Sequence, residues 1–186
     1  MSALRIDCVM SPDFSKSHFA LFGLPVAFDL DVAALEQTYR DLQREVHPDR
    51  FANAPDAEKR IAAQWAMQVN EAYRTLKSPL ARGRYLLTLN GIDTEEESNT
   101  AMPVAFLIQQ MDWREAVVAA RNAHDDRALE QLAKDKRSEE RVLFDRLAAQ
   151  LSNVATMREA RDTVRKLRFL EKLGEEIDLA GEAMES

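Results

Sequence analysis

The chain has 186 residues, of which 46% are hydrophobic and 31% charged, a balance that suits a folded globular protein of one or two domains and excludes a disordered one. A single cysteine, Cys8, excludes an internal disulfide and a thiol-only metal site built by this chain alone, and no apolar run approaches the ~20 residues that span a bilayer. The net charge of −7 is uneven: residues 1–90 hold 11 Lys+Arg against 11 Asp+Glu and residues 91–186 hold 14 against 21, so no nucleic-acid partner is expected, because phosphate binding needs a cationic surface.

With only 5 Gly and 6 Pro, and long runs of Ala, Leu, Glu, Arg and Gln, the composition points to an all-α protein. Residues 1–16 have neither helical nor strand periodicity and read as an N-terminal extension. Its "MSALRIDCVMSPDF" lacks the charged start and continuous apolar centre of a secretion signal, so a cytoplasmic location is expected. "SHFALFGLP" predicts a short helix stopped at Gly23 and Pro25. A second helix starts with Asp29 or Asp31 as its cap, and Leu35, Tyr39, Leu42 and Val46 recur on one face. After the loop "DRFANAP", a third helix from about Asp56 to Lys77 carries Ile61, Trp65, Val69, Ala72, Tyr73 and Leu76 as a broad apolar stripe, and it should pack antiparallel to the second. Ser78-Pro79 opens a further helix, "LARGRYLLTL", that stops at Asn90-Gly91.

"IDTEEESNT" is polar, acidic and aperiodic, and reads as a linker. Beyond it the pattern predicts a helix from near Pro103 to about Asn122, and another capped by Asp125 or Asp126 and reaching about Gln150. The last follows Ser152-Asn153 and reaches Lys172, with Gly174 and "EEIDLAGEAMES" as a weaker tail. Three antiparallel helices joined by short turns make a bundle. The expected organisation is an extension over 1–16, a helical domain over 17–91, a linker over 92–101 and a three-helix domain over 102–186.

His47-Pro48-Asp49 ends the second helix. Proline disfavours the helical conformation at the residue before it, so the helix should stop at His47 and the chain turn outward. Arg40, Arg44 and His47 fall at i, i+4 and i+7, opposite the apolar row. On spacing alone this is a helix end with cations favoured by the dipole, about 0.3–1 kcal/mol each, on a solvated face. A catalytic His47-Asp49 pair lacks a nearby serine or cysteine nucleophile. A metal site lacks further ligands, because His18 and His124 belong to separate elements.

The helix after Pro103 presents a second puzzle. Leu107, Ile108 and Met111 cluster with Asp112 and Glu115 on one side, while Phe106, Trp113 and Val117 occupy another. A helix that touches two neighbours needs two apolar faces; equally, one of the two could remain available to a partner. In the last helix Ala160, Val164, Leu167 and Leu170 form a core row, whereas Phe169 is expected to point away from it, among Arg158, Asp162 and Arg165. An exposed aromatic among charges is a candidate anchor.

The pattern "HFALFGLP…LEQTYRDLQREVHPDRF…AQWAMQVNEAYRTLKSPLARGRYLL" resembles a J domain, the co-chaperone module with a His-Pro-Asp loop between two antiparallel helices, over about residues 18–90. "TAMPVAFLIQQMDWREAV" and "DTVRKLRFLEKL" resemble the C-terminal domain of the HscB family of iron-sulfur co-chaperones, in the matching order. The resemblance implies a J domain followed by a C-terminal three-helix bundle, and a non-enzymatic activator. His47, Pro48 and Asp49 would dock on a heat-shock ATPase of the HscA/DnaK type, with Arg40, Arg44 and Arg50 supplying complementary charge. Leu107, Ile108, Met111, Asp112, Glu115 and Phe169 match positions that in HscB-like proteins bind IscU, the scaffold on which iron-sulfur clusters are assembled. An acidic position on the following turn of that surface is replaced here by Ala119. Eukaryotic relatives add an N-terminal segment with paired cysteines; this extension has only Cys8, so no metal and no cofactor are expected. The alternatives are a general J-domain chaperone for unfolded clients and a small helical hydrolase using His47 and Asp49.

Overall fold

The computed structural model of the protein describes residues 13–94 and 102–185. Cys8, the extension before Asp13 and positions 95–101 of the expected linker lie outside the described residues. Among the described residues there are helices and no strand. The helices are α1 (His18–Phe22), α2 (Val32–Val46), α3 (Asp56–Lys77), α4 (Pro79–Leu89), α5 (Val104–Ala123), α6 (Asp126–Leu151) and α7 (Met157–Glu185). The chain divides into two compact units between Leu86 and Leu87, inside α4.

Local chemistry sets most of the helix ends in the first unit. The Ser17 hydroxyl accepts the Ala20 N–H at 3.2 Å to start α1, and Gly23, in the left-handed region at φ 66°, ends it. Asp31 rather than Asp29 caps α2, its carboxylate accepting the Ala34 N–H at 3.0 Å. Ser78 caps α4 through the Ala81 N–H at 3.3 Å. Each such cap contributes about 1 kcal/mol by satisfying an amide that has no partner within the helix.

Helices α2 and α3 are antiparallel, since their contacts run in opposite order along the two helices. Glu36 pairs with Lys77 at 3.2 Å, Tyr39 stacks on Tyr73 with ring centres 3.8 Å apart, and Gln43 reaches Asn70 at 3.4 Å. Phe19, Leu35, Trp65, Val69, Ala72 and Leu76 are buried, each large side chain stabilising the unit by roughly 1.5–3 kcal/mol. Ile61 departs from the expected stripe: it is exposed, and Ala62 is buried. Arg82 is also buried. Its guanidinium donates to the Leu76 carbonyl at 2.7 Å and lies 5.1 Å from the Phe28 ring, tying α4 to the end of α3.

His18 joins α1 to α4. Its ring stacks on Tyr85 with centres 4.2 Å apart, and its backbone N–H donates to the Tyr85 hydroxyl at 2.9 Å. Desolvation holds the imidazole below its ordinary value against the opposing attraction of Glu71. The unfolded chain therefore takes up a proton near the ordinary pKa of about 6.5 before the folded one does. Stability is full above that value and is lost as the pH falls through the depressed folded pKa. Thermal melts at about pH 7.5 and about pH 5.5 should show a smaller acid-induced drop in His18→Phe than in wild type; equal drops would contradict this.

The second unit is an up-down-up bundle. α5 and α7 run parallel, with Phe106 against Phe169 and Arg114 paired with Glu176 at 3.0 Å. α6 runs antiparallel to α7, with Thr163 donating to Gln150 at 2.8 Å near one end and Leu129 beside Gly181 near the other. Asp125 caps α6, accepting the Ala128 N–H at 3.1 Å, and His124 ends α5 in the left-handed region at φ 50°.

The expected tail is instead helical through Glu185. Leu170, Leu173, Ile177 and Ala180 continue one buried stripe past Gly174, and their burial outweighs the ~1 kcal/mol that a helical glycine costs. Gly174 also admits Lys136, whose Nζ would stand 2.9 Å from an added Cβ.

One polar side chain sits in this core without a partner. Gln110 is 1% exposed, and neither amide atom has a hydrogen-bond partner among the described residues. A buried amide left unpaired costs about 1–3 kcal/mol, so Gln110→Met should raise the melting temperature. A value at or below wild type would show that ordered water satisfies the amide.

Candidate docking surfaces

α2 ends at Val46, and His47 caps it with extended backbone, φ −59° and ψ 132°, as the following proline requires. What was expected as open loop begins with a 3₁₀ turn over Pro48–Phe51, closed by the Arg50 N–H donating to the His47 carbonyl at 3.0 Å. The His47 Nδ1 accepts the Asp49 N–H at 3.3 Å and lies 3.4 Å from an Asp49 carboxylate oxygen. With Nδ1 as acceptor, the neutral ring carries its proton on Nε2. The side chains remain open to solvent, 59% exposed for His47 and 90% for Asp49. The ring thus organises the turn and still presents a donor outward.

The cations around this turn have partners within the first unit. Arg44 pairs with Asp41 at 3.2 Å, Arg40 donates to Gln37 at 3.1 Å, and the Arg50 guanidinium reaches the Arg44 carbonyl at 3.5 Å, at the C-terminal end of α2. The basic stripe is therefore interleaved with Asp41 and Gln37 rather than purely cationic. Arg40, Arg44 and His47 line a shallow groove whose opposite wall is Ala66 and Asn70 of α3. Neither wall residue follows from the α2 spacing; both could be found only by carrying the antiparallel register across. No hydroxyl or thiol is among the residues that line the groove, so the lining supplies no nucleophile for a His47-Asp49 pair to activate.

In the second unit, Phe106 and Val117 of α5 are buried and Trp113 is half-buried, whereas Ile108 and Met111 are 53% and 60% exposed. Leu107 is half-buried, and Asp112 and Glu115 are exposed. α5 thus buries one apolar face and leaves the other open. Val104 and Val118, not singled out from the sequence, are exposed on the open side.

Phe169 departs from the expected orientation. It does not point away from the core but is half-buried, edge-on to Phe106 with ring centres 5.8 Å apart, and its neighbour Arg165 is buried. The physical reason is that α7 has two neighbours, and Phe169 faces the second of them.

Among the described residues no group of three or more His, Cys, Asp or Glu is placed to hold a metal, and no helix is long and apolar enough to cross a membrane.

Residues 102–178 match the family model described as the HscB C-terminal oligomerisation domain. The chain is 54% identical to the co-chaperone protein HscB homolog of Paraburkholderia phymatum over 88% of this chain and 93% of that one. It is 50% identical to the homolog of Aromatoleum aromaticum over 95% of this chain and the whole of that one. Among solved structures, the chaperone HscB of Vibrio cholerae superposes with a TM-score of 0.81 at 35% identity, over 91% of this chain and 99% of that one. The human co-chaperone HscB superposes with a TM-score of 0.85 at 31% identity, over 91% and 84%. The fold they share is all-α, a J domain followed by a C-terminal helical bundle. On identity at this level over nearly its whole length, the chain belongs to the HscB family of co-chaperones.

Proposed function

We propose that this co-chaperone binds the iron-sulfur scaffold IscU, delivers it to an HscA/DnaK-type heat-shock ATPase in the cytoplasm, and stimulates that enzyme's ATP hydrolysis. The domains assigned to the two roles are 17–91 and 102–186, joined through 92–101. The observation that carries this reading is that each unit presents its own open surface: a His-Pro-Asp turn whose His47 and Asp49 side chains are solvent-exposed, beside a groove lined by no hydroxyl or thiol, and an apolar helix face rimmed by carboxylates.

Hydrolysis belongs to the ATPase. His47, Pro48 and Asp49 form the docking turn, and Arg40, Arg44 and Arg50 steer the encounter. Exposed ion pairs contribute about 0.2–1 kcal/mol each, whereas micromolar affinity needs about 8 kcal/mol. On the second unit, Leu107, Ile108 and Met111 supply apolar contact and Asp112 and Glu115 its acidic rim. Phe169 supports α5 through Phe106. Calorimetric titration with purified IscU should show saturable binding; its absence would remove the scaffold half of the proposal. Protection of denatured proteins from aggregation, without scaffold binding, would favour a general chaperone.

A further inference from the structure

The apolar surface on α5 does not stop at Met111. Leu107, Met111, Arg114, Val118 and Arg121 follow at intervals of four, three, four and three, so they form one line along the helix. Beyond Met111 that line enters a cleft between α5 and α7, about 330 Å³ in volume. Val118 stands on one side, 47% exposed, and Leu179 on the other, 64% exposed. The Arg114–Glu176 pair, 3.0 Å apart, lines it too. Arg121 lines the cleft as well; it is exposed and has no ion-pair partner among the described residues.

The size of a stable interface argues that this cleft is used. A stable complex covers about 800 Å² on each partner, with about 20–30 residues a side. Leu107, Ile108, Met111, Asp112, Glu115 and a half-buried Phe169 are too few to supply it. Past Met111 exposed apolar surface continues in the cleft, and beyond the exposed carboxylates of Asp112 and Glu115, with Arg114 taken up by Glu176, α5 ends on the exposed cation Arg121. A partner lying along α5 therefore meets carboxylates first and a cation last, which fixes its direction as well as its position.

Resting on the scaffold reading above, we propose that IscU contacts this cleft too, placing an apolar side chain between Val118 and Leu179 and a carboxylate against Arg121.

The test is calorimetry of full-length chains with purified IscU, comparing wild type, Arg121→Glu, Arg121→Lys, Leu179→Ala and Leu107→Ala/Met111→Ala. Arg121 and Leu179 are exposed, so unchanged melting temperatures should accompany their substitution. Arg121→Glu and Leu179→Ala are expected to weaken binding by about fivefold to tenfold, and Arg121→Lys to retain it. If Leu107→Ala/Met111→Ala weakens binding while Arg121→Glu and Leu179→Ala bind as wild type, the cleft proposal is overturned and the scaffold reading stands. If none of the variants weakens binding, both are overturned.

Discussion

Replacing His47 with glutamine is expected to reduce stimulation of the partner ATPase to its unstimulated level while leaving scaffold binding within about twofold of wild type. The loss should be near complete because the imidazole acts on the turn and on the partner at once. Its Nδ1 accepts the Asp49 N–H at 3.3 Å, which fixes the tripeptide, and its Nε2 is the nitrogen left for a partner on a ring that is 59% exposed. A flexible glutamine amide cannot reproduce a rigid acceptor on one side and a donor on the other. The fold should survive, since the ring contributes no core packing, and the α5 face belongs to the other unit. Asp49→Ala should behave similarly, and equal melting temperatures would establish that the effect is on docking. Equal stimulation by wild type and His47→Gln would remove this turn from the mechanism.

The double substitution Leu107→Ala/Met111→Ala should have the converse effect, raising the Kd for IscU by about tenfold to a hundredfold, or about 1.4–2.8 kcal/mol. Met111 is 60% exposed, so truncating it leaves no cavity in the free protein. What Met111 loses is mainly apolar area that becomes buried only in the complex, whereas Leu107, half-buried, also gives up some packing in the free protein. Stimulation of the ATPase in the absence of scaffold should be unchanged. Phe169→Ala has to be measured separately. Its ring packs edge-on to Phe106, a pair that contributes about 0.5–1.5 kcal/mol beyond area burial, so this variant should also lower the melting temperature. If the double variant loses helical content, Leu107 and Met111 are core residues rather than a docking face.

Helix ends were legible because capping is local. Asp31, Ser78 and Asp125 each accept an amide three residues on, and Gly23 and Gly91 take the left-handed conformation. The antiparallel hairpin and the position of the His-Pro-Asp turn followed from periodicity and proline sterics. What lay beyond the sequence was decided by neighbours distant in the chain. Gly174 reads as a stop locally, yet Ile177 and Ala180 are buried beyond it, and no local signal competes with that burial. Phe169 reads as exposed when one core row is assumed for α7; in a three-helix bundle each helix has two neighbours, and the parallel α5 covers its side. Asn70 and Ala66 join the groove only through the register of α3 on α2. The two faces of α5 were visible as a pattern, but which of them is open is a matter of packing.

The most direct test of the adaptor account is the ATPase rate of the partner chaperone with this protein, measured with and without IscU. The account predicts stimulation by the protein alone, a further increase when IscU is present, loss of both in His47→Gln, and loss of only the IscU-dependent increase in Leu107→Ala/Met111→Ala. A rate unaffected by wild-type protein in either condition would contradict it.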